Sequence, residues 1–310
     1  MPRILAITGG VGGAKLALGL SRLLGPDEVA FAVNTGDDFE HLGLEICPDL
    51  DTLIYTLSGL ANPDTGWGRR DETWGFLDTL DTLGGEAWFR LGDHDLALHV
   101  RRTEMLRDGA TRTAAAAEIA GRLGIAHRLL PMSDDPVRTL VHTAGGPLAF
   151  QHYFVRDRCE PAVTGFEFRG ADRARPNPAI VDWLEGADGV VICPSNPFVS
   201  VDPMLSIPGL RQALMDSPAP VVAVSPIVGG AALKGPAAKM MAELELPARA
   251  DQVARHYGEL LDGFVMDQQD ADLAGGVAVE TLVTQTVMRT LEDRVALAEA
   301  VLAFCDRLKR

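Results

Sequence analysis

Glycines and a lysine stand close together near the start of the chain, in a composition typical of phosphate-binding loops. The segment reads Thr8-Gly-Gly-Val-Gly-Gly-Ala-Lys15 and lies between an apolar run, residues 4–7, and a stretch with helical spacing of leucines. A strand, a glycine turn and a helix start together place backbone N–H groups against an anion. The sequence therefore predicts phosphate contacts from Gly9, Gly10, Gly12, Gly13 and Lys15.

This segment matches neither of the two common nucleotide motifs. A P-loop has Gly-Lys-Ser/Thr, whereas Lys15 lies between Ala14 and Leu16. The dinucleotide fingerprint G-x-G-x-x-G fits Gly10 and Gly12 but has Lys15 in place of its third glycine. A tight turn that needs positive φ is the simpler alternative. We favour the phosphate interpretation because four glycines and a lysine exceed what such a turn requires.

Carboxylates follow the next apolar run, residues 29–33, and recur a few residues later. Asp37 and Asp38 end the segment that starts at Asn34, and Asp49 and Asp51 lie in Pro48-Asp-Leu-Asp-Thr52. Mg²⁺ takes one or two carboxylates together with phosphate oxygens of a substrate. We therefore predict Mg²⁺ as the cofactor, held by Asp37 and Asp38, while an N-cap explains Asp49 equally well.

Two further polar loops follow apolar runs. Ser195 and Asn196 lie between prolines after residues 189–193, and Ser225 follows residues 221–224. Prolines fix the local backbone, which suits side chains held toward a ligand. Ser195 lacks a G-x-S-x-G context, so we expect phosphate or base contacts from these residues rather than a nucleophile.

Two segments between these loops have residues that suit a planar substrate or proton transfer. Gly92-Asp-His-Asp95 places Asp93 and His94 in an acidic loop, for which Asx-type hydrogen bonds are an equally good explanation. Trp67 precedes two arginines, a combination that stacks on planar rings or binds phosphate. Packing in the core is the alternative for this tryptophan.

The elements that position these residues alternate between short apolar runs and helical patterns. This alternation is typical of an α/β fold with a mostly parallel sheet between two layers of helices. Such sheets bind ligands at the carboxyl ends of their strands, and four of the polar loops follow predicted strands. We expect one domain over residues 1–310, with a helical insertion over that edge at about 39–128 and a small subdomain at about 145–185. Aromatic and β-branched residues predict a pair of strands within 151–169.

Bulk properties exclude several classes of protein. The 310 residues are 47% hydrophobic and carry a net charge of −15, which argues against nucleic-acid and anionic-membrane binding. The four cysteines are far apart, so neither a zinc site nor a disulfide framework is expected. The first residues show no signal-peptide pattern and no apolar run reaches the length of a membrane span, so we expect a cytoplasmic location.

Seven motifs in order resemble the 2-phospho-L-lactate transferase family of coenzyme F420 biosynthesis. They are the glycine segment, Asn34-Thr-Gly-Asp-Asp38, Pro48-Asp-Leu-Asp-Thr52, Leu91-Gly-Asp-His-Asp95, Pro131-Met-Ser-Asp-Asp-Pro136, Pro194-Ser-Asn-Pro197 and Ser225-Pro-Ile-Val228. The resemblance covers residues 4 to about 270. One difference is His94, where members of the family often have arginine.

The resemblance implies a Rossmann-like core, Mg²⁺, a homodimer and a defined reaction. The deazaflavin Fo would accept a phospho-hydroxyacid group from a guanosine-diphosphate-linked donor, and GMP would leave. Asp37 and Asp51 would be the catalytic residues, orienting the hydroxyl or holding metal. Asp51, Asp93, His94 and Trp67 would contact Fo, and the glycine segment with Ser195, Asn196 and Ser225 would bind the guanosine diphosphate.

Two other functions fit part of the sequence. A non-catalytic nucleotide-sugar-binding regulator, of the type of the gluconeogenesis factors, has a similar glycine loop and acidic segment. The motifs at residues 48–52 and 91–95 favour the transferase over this regulator. An NAD(P)-dependent dehydrogenase is disfavoured because Lys15 stands where the third glycine belongs.

Overall fold

The computed structural model describes residues 2–309 and has a seven-stranded sheet at its centre. The strands of the described chain are β1 (Ile4–Thr8), β2 (Val29–Val33), β3 (Phe39–His41), β4 (Leu44–Ile46), β5 (Arg128–Pro131), β6 (Arg138–Thr143), β7 (Gly146–Ala149), β8 (Val163–Arg169), β9 (Gly189–Ile192), β10 (Val221–Val224), β11 (Ile227–Val228), β12 (Ala231–Ala232), β13 (Gly263–Asp267) and β14 (Glu280–Thr284). The central sheet has the order β14-β13-β10-β9-β1-β2-β5, and all its pairs are parallel. The predicted α/β fold with a mostly parallel sheet is thereby confirmed.

Helices cover both faces of this sheet. They are α1 (Gly10–Leu23), α2 (Pro48–Ser58), α3 (Gly75–Thr82), α4 (Asp93–Arg107), α5 (Arg112–Arg122), α6 (Pro178–Leu184), α7 (Asp202–Leu205), α8 (Leu210–Asp216), α9 (Ala237–Glu243), α10 (Ala250–Tyr257) and α11 (Leu291–Leu308). Short π-helical or 3₁₀ turns lie at His152–Arg156, Pro197–Val201, Ala171–Arg173, Gly258–Leu260 and Gln268–Gly276.

Alternation along the strands divides the core into two halves. In β1, Leu5 and Ile7 belong to one apolar cluster, and Ile4 and Ala6 belong to the other. The first cluster packs against α6, α8 and α10, and the second packs against α1, α2 and α11. Burial on both faces explains why these strands are continuous apolar runs in the sequence.

The chain reverses its direction across the sheet next to β1. From β1 it proceeds to β2 and β5 on one side, and it later returns to β9 and β10 on the other side. The carboxyl ends of β1 and β9 therefore flank the crevice at which parallel α/β sheets bind ligands. The glycine segment follows β1, and Ser195 follows β9.

Two accessory parts lie outside the central sheet. The segment between β2 and β5 begins with the antiparallel hairpin β3–β4 and continues through α2, α3, α4 and α5. β6, β7 and β8 form a separate antiparallel sheet. The predicted strand pair within 151–169 is wrong in its first half, because His152–Arg156 is a π-helical turn and only β8 is extended.

Within residues 2–309, none of the helices combines the length and the apolar character that crossing a membrane requires.

Candidate active site

The ends of β1 and β9 touch each other through the glycine segment. Gly9 N donates to Ser195 Oγ at 3.1 Å, and Ser195 Oγ donates back to Gly9 O at 2.8 Å. A Cβ on Gly12 would lie 2.4 Å from Pro194 O, and a Cβ on Gly13 would lie 2.4 Å from Thr8 Oγ1. Glycine is thus required here for close approach of the two strand ends, and the phosphate contacts stay a prediction.

The start of helix α1 meets a carboxylate of the protein itself. Gly10, at φ +66°, donates its N–H to Asp49 Oδ1 at 2.6 Å. Asp49 lies in the first turn of α2, whose own N-cap is Cys47. Asp49 therefore places negative charge at the positive end of α1, the position that a bound anion would favour.

Asn34 connects this carboxylate to Asp37. The fully buried Asn34 directs its Nδ2 at Asp49 Oδ2, 2.9 Å away, and at Asp37 Oδ1, 3.2 Å away. Its Oδ1 accepts the N–H of Gly36 at 2.9 Å, which fixes the amide. Gln151 Nε2 lies 3.4 Å from the other oxygen of Asp37. One amide thus holds two carboxylates together at the carboxyl end of β2.

These two carboxylates share a negative charge that no side chain of the described residues neutralises by an ion pair. Burial, and then the charges of Asp49 and Asp38, raise the pKa of Asp37 well above its usual range. Burial raises the pKa of Asp49 to about 6, although its hydrogen bonds from Asn34 and Gly10 act in the opposite direction. A cation placed between Asp37 and Asp49 would relieve this repulsion.

Asp37 and Asp49 are carboxylates of the kind that Mg²⁺ ordinarily takes as ligands. Among the described residues no group of three or more His, Cys, Asp or Glu side chains could hold a metal by itself. Mg²⁺ rarely needs such a group, because it binds through one or two carboxylates plus phosphate oxygens. Asp37 and Asp49 supply the carboxylates, and a substrate would have to supply the phosphate.

Asp38, the other predicted metal ligand, points in a different direction. Its Oδ2 lies 3.4 Å from Arg112 Nη1 of α5, and its Oδ1 has no hydrogen-bond partner. Burial raises the pKa of Asp38 to about 7, against the opposing charges of Arg112 and Arg138. The guanidinium leaves Asp38 poorly placed to share a cation with Asp37.

Asp51 lies in a second cluster, in which the charges are paired. Arg102 of α4 holds both of its oxygens in a bidentate ion pair, with Nη1 3.1 Å from Oδ2 and Nη2 bonded to Oδ1. His99 Nδ1 lies 3.7 Å from Asp51 Oδ2, and His99 Nε2 lies 3.3 Å from Asp95 Oδ2 without hydrogen-bond alignment. Tyr55 donates its hydroxyl to Asp95 Oδ1. These side chains, which we call the α2–α4 clamp, join the two helices through buried polar contacts.

The predicted acidic loop at 92–95 is a mutual cap between two helices. Asp93 accepts the N–H groups of Gly75 and Phe76, at 3.1 and 3.0 Å, at the start of α3. Glu72 in turn accepts the N–H groups of His94 and Asp95, both at 2.8 Å, at the start of α4. The His94 side chain is half exposed, and its Nδ1 lies 3.6 Å from Glu72. The carboxylate of Asp93 is thus occupied by capping, whereas the imidazole of His94 is open.

Trp67 lies on a loop over the glycine segment. Its side chain is 54% exposed, which is against the core-packing alternative. A Cβ on the adjacent Gly66 would lie 3.1 Å from Val11 Cγ1 in the first turn of α1. An exposed indole beside a strand-end crevice is free to stack on a planar ring.

Asn196 and Ser225 shape their own loops. Asn196 Oδ1 accepts the N–H of Phe198 at 3.0 Å, and Ser225 Oγ contacts both the N–H and the carbonyl of Ile227, at 3.1 and 2.8 Å. Lys15 Nζ donates to Met288 O at 3.2 Å. The structure brings these residues to the same edge of the sheet as the glycine segment, and their roles toward a nucleotide stay predictions.

Sequence reasoning missed two residues that organise the site. Asn34 was visible within the motif Asn34-Thr-Gly-Asp-Asp38, but its bridging role depends on Asp49, which is 15 residues away. Arg102 had no local signal, because its partner Asp51 is separated from it by 51 positions in the chain.

Comparisons with known proteins show the family and the fold of this chain. The family model described as 2-phospho-L-lactate transferase CofD matches residues 4–292. A phosphoenolpyruvate transferase of Kitasatospora aureofaciens is 39% identical over 99% of both chains. A 2-phospho-L-lactate transferase of Methanosarcina mazei is 37% identical over 96% of this chain and 99% of the relative. The solved structure of a UPF0052 family protein from Bacillus halodurans has a TM-score of 0.66 at 15% identity, covering 97% of this chain and 98% of its own, which shows a shared fold.

Proposed function

This chain belongs to the 2-phospho-L-lactate transferase family, and from that premise we propose that it transfers a phospho-hydroxyacid group to the deazaflavin Fo. The donor is a guanosine-diphosphate-linked phospho-hydroxyacid, the acceptor is the terminal ribityl hydroxyl of Fo, and GMP leaves. The observation that carries the proposal is the Asp37–Asn34–Asp49 arrangement beside the start of α1. It is an unneutralised pair of carboxylates at the ligand-binding crevice of the sheet.

The proposed step is an in-line displacement at phosphorus. The acceptor oxygen forms a new P–O bond with the phosphorus that bears the hydroxyacid. The phosphoanhydride P–O bond to GMP breaks, GMP keeps the bonding electron pair, and the acceptor hydroxyl loses its proton. Reactions of this type depend on positioning and on charge neutralisation more than on covalent catalysis.

We assign Mg²⁺ to Asp37 and Asp49, with Asn34 holding the two carboxylates in place. Bound there, Mg²⁺ would neutralise charge on the phosphates and orient them. Bound Mg²⁺ would lower the pKa of Asp37, which burial raises in its absence, so we assign Asp37 to the cation and leave the proton of the acceptor hydroxyl to solvent. Asp38 is left out of the assignment because Arg112 engages it.

For Asp51 we propose a positioning role. Both of its oxygens are engaged by Arg102, so they are not free to take a proton or a metal. The α2–α4 clamp instead fixes the start of α2, from which Asp49 reaches the start of α1. Asp51 thereby supports the reacting groups without touching them.

Contacts to the substrates are proposed at the edge of the crevice. The backbone N–H groups of Gly12 and Gly13, with Lys15, Ser195, Asn196 and Ser225, would face the guanosine diphosphate, whereas those of Gly9 and Gly10 are already donated to Ser195 and Asp49. Trp67 offers an exposed planar face for a ring, and His94 offers an exposed imidazole. Asp93 would act through its cap on α3 rather than by direct contact with Fo.

Names of relatives favour one donor. The relative from Kitasatospora aureofaciens is called a phosphoenolpyruvate transferase and that from Methanosarcina mazei a 2-phospho-L-lactate transferase. We propose the phosphoenolpyruvate-linked donor first, because the relative with that name is the more similar of the two, at 39% against 37% identity. The family resemblance also leads us to propose a homodimer, which light scattering of the purified protein checks.

The test is a transfer assay with defined components. The protein is incubated with Fo, Mg²⁺ and guanylylated phosphoenolpyruvate, phospholactate or 3-phosphoglycerate in separate reactions. We expect GMP and a phosphorylated deazaflavin in equal amounts by mass spectrometry. If no donor gives product and Fo does not bind, the transferase proposal fails. Nucleotide binding without transfer would favour the non-catalytic regulator.

A further inference from the structure

A cationic corner forms where α1, the loop before α3 and the segment before α9 meet. Lys15 extends from α1 and donates to Met288 O at 3.2 Å. Lys234 reaches across to the Trp67 loop and donates to Thr65 O at 3.4 Å. Segments that are far apart in the sequence thus bring two ammonium groups to the edge of the crevice, each with a backbone carbonyl as its hydrogen-bond acceptor.

Arg294 in the first turns of α11 adds a third positive group. α1 and α11 cross at very short range, because a Cβ on Gly19 would lie 2.1 Å from Arg294 O. Arg294 Nε is buried and has no hydrogen-bond partner. Burial, and then the charges of Arg294 and Lys234, lower the pKa of Lys15, which agrees with two further cations lying near its ammonium group.

In the described part of the chain, the other two lysines form ion pairs, unlike Lys15 and Lys234. Lys239 pairs with Glu243, and Lys309 lies 3.2 Å from Asp188 and 3.1 Å from Asp306. By contrast, neither Lys15, Lys234 nor Arg294 forms an ion pair within residues 2–309. Unpaired cations gathered in a chain of net charge −15 favour an anion as their partner.

The carboxylate that adjoins Arg294 in the sequence is occupied by capping. Asp293 adjoins Arg294 in sequence, and its Oδ2 accepts the N–H groups of Arg289 and Thr290, at 2.8 and 2.9 Å, in the capping box of α11. Its carboxylate is therefore turned to the backbone and does not form an ion pair with Arg294.

We infer that Lys15, Lys234 and Arg294 bind the phosphate groups of the nucleotide part of the donor. The inference rests on the proposed function for the identity of the nucleotide, and it adds Lys234 and Arg294 to its binding residues. A nucleoside diphosphate carries enough charge to engage several cations, and flexible lysine side chains suit phosphate oxygens. Once bound, the three cations also stabilise the charge that develops on departing GMP.

The inference is tested by GDP binding, measured by isothermal titration calorimetry without acceptor. The proteins are wild type, Lys234→Gln and Arg294→Gln, with Lys309→Gln as the matched control because this paired lysine lies near Asp188, before β9. Circular dichroism verifies that each variant folds. We expect the dissociation constant for GDP to rise about tenfold in each corner variant, as for loss of one charge-assisted contact, and to stay unchanged in the control. Pyrophosphate competing with GDP, with the same loss in the variants, would show that phosphate rather than the base is bound there.

The outcomes separate this inference from the proposed reaction. Unchanged GDP affinity in both Lys234→Gln and Arg294→Gln overturns the phosphate site, even if wild type performs the transfer. Expected losses of affinity together with no transfer from any donor leave the phosphate site standing and refute the reaction. Pyrophosphate that does not compete with GDP also overturns the inference.

Discussion

Asp49 and Asp51 are two residues apart on α2, yet they belong to carboxylate groups of opposite character. Two residues in a helix are separated by about 200°, so the side chains point to opposite sides. Asp49 joins Asp37 in a buried pair without an ion-pair partner, whereas Asp51 joins Arg102 in the α2–α4 clamp. Pairing with a cationic side chain, rather than acidity or position in a motif, therefore distinguishes the structural carboxylate Asp51 from the carboxylates of the proposed cation site.

Breaking the clamp should have the largest effect, and it should act on stability. Arg102→Leu leaves the buried carboxylate of Asp51 without its partner, which costs about 3–5 kcal/mol of unfolding free energy. Urea unfolding measures the loss. A double variant, Asp51→Leu with Arg102→Leu, should regain most of it because no buried charge is left alone. A loss below 1 kcal/mol in Arg102→Leu would show that the clamp is not structural.

Removing one charge from the Asp37–Asp49 pair should lower activity rather than stability. Asp37→Asn removes a carboxylate that repels its neighbour, so the free energy of unfolding should stay the same or rise. The transfer rate should fall at least ~10²-fold, because binding of the cation is weakened. Rates come from the transfer assay with saturating donor. If Asp37→Asn keeps the wild-type rate, the Asp37–Asp49 pair is not catalytic.

The same contrast predicts an effect of pH on the protein without metal. Burial raises the pKa of Asp49 to about 6 and that of Asp38 to about 7. A raised folded-state pKa of a carboxyl stabilises the fold at low pH, and this contribution is lost as pH rises from the ordinary pKa of 3.8 to about 6 for Asp49 and about 7 for Asp38. Mg²⁺ with GDP should therefore raise the melting temperature more at pH 7.5 than at pH 5.5, and Asp49→Asn should reduce the difference. Equal shifts at both pH values would contradict the account.

The smallest effect is expected at the exposed end of the acidic loop. His94 is half exposed and its closest charged group is Glu72. His94→Arg should change the free energy of unfolding by no more than about 0.5 kcal/mol, because the side chain is half exposed. The Michaelis constant for Fo should change by a small factor, about threefold or less, if this side chain lies at the edge of the acceptor site. A loss of turnover as large as that in Asp37→Asn would place His94 among the reacting groups.

The central fold was accessible from sequence because its strands are continuous apolar runs. β2 was predicted with the bounds that the structure gives, and β1, β9 and β10 to within a residue at most. Neither β13 nor β14 was predicted; β14, Glu280–Thr284, is an edge strand that is partly exposed and partly polar, whereas β13 is fully buried. The turn at His152–Arg156 was mistaken for a strand because Tyr153 and its neighbours favour extended structure in isolation, while their tertiary packing does not.

The candidate site was accessible only in part. The glycine segment, Asp37 and Ser195 each follow a predicted strand. Because parallel strands end at the same edge of the sheet, the sequence predicted that these residues lie at one edge. The roles within that edge depend on partners distant in sequence, such as Arg102 for Asp51 and Asn34 for Asp49. The sequence alone could not distinguish Asp38 from Asp49 as the companion of Asp37, because only the folded chain places Arg112 beside Asp38.

Titration of Mg²⁺ into GDP-saturated protein tests the difference between the two carboxylate groups most directly. Wild type, Asp37→Asn and Asp51→Asn are compared by calorimetry, with folding of each checked by circular dichroism. We predict that Mg²⁺ affinity falls at least about tenfold in Asp37→Asn and is retained in folded Asp51→Asn. Unchanged affinity in Asp37→Asn, or a loss confined to Asp51→Asn, would contradict the assignment of the cation to the unpaired pair.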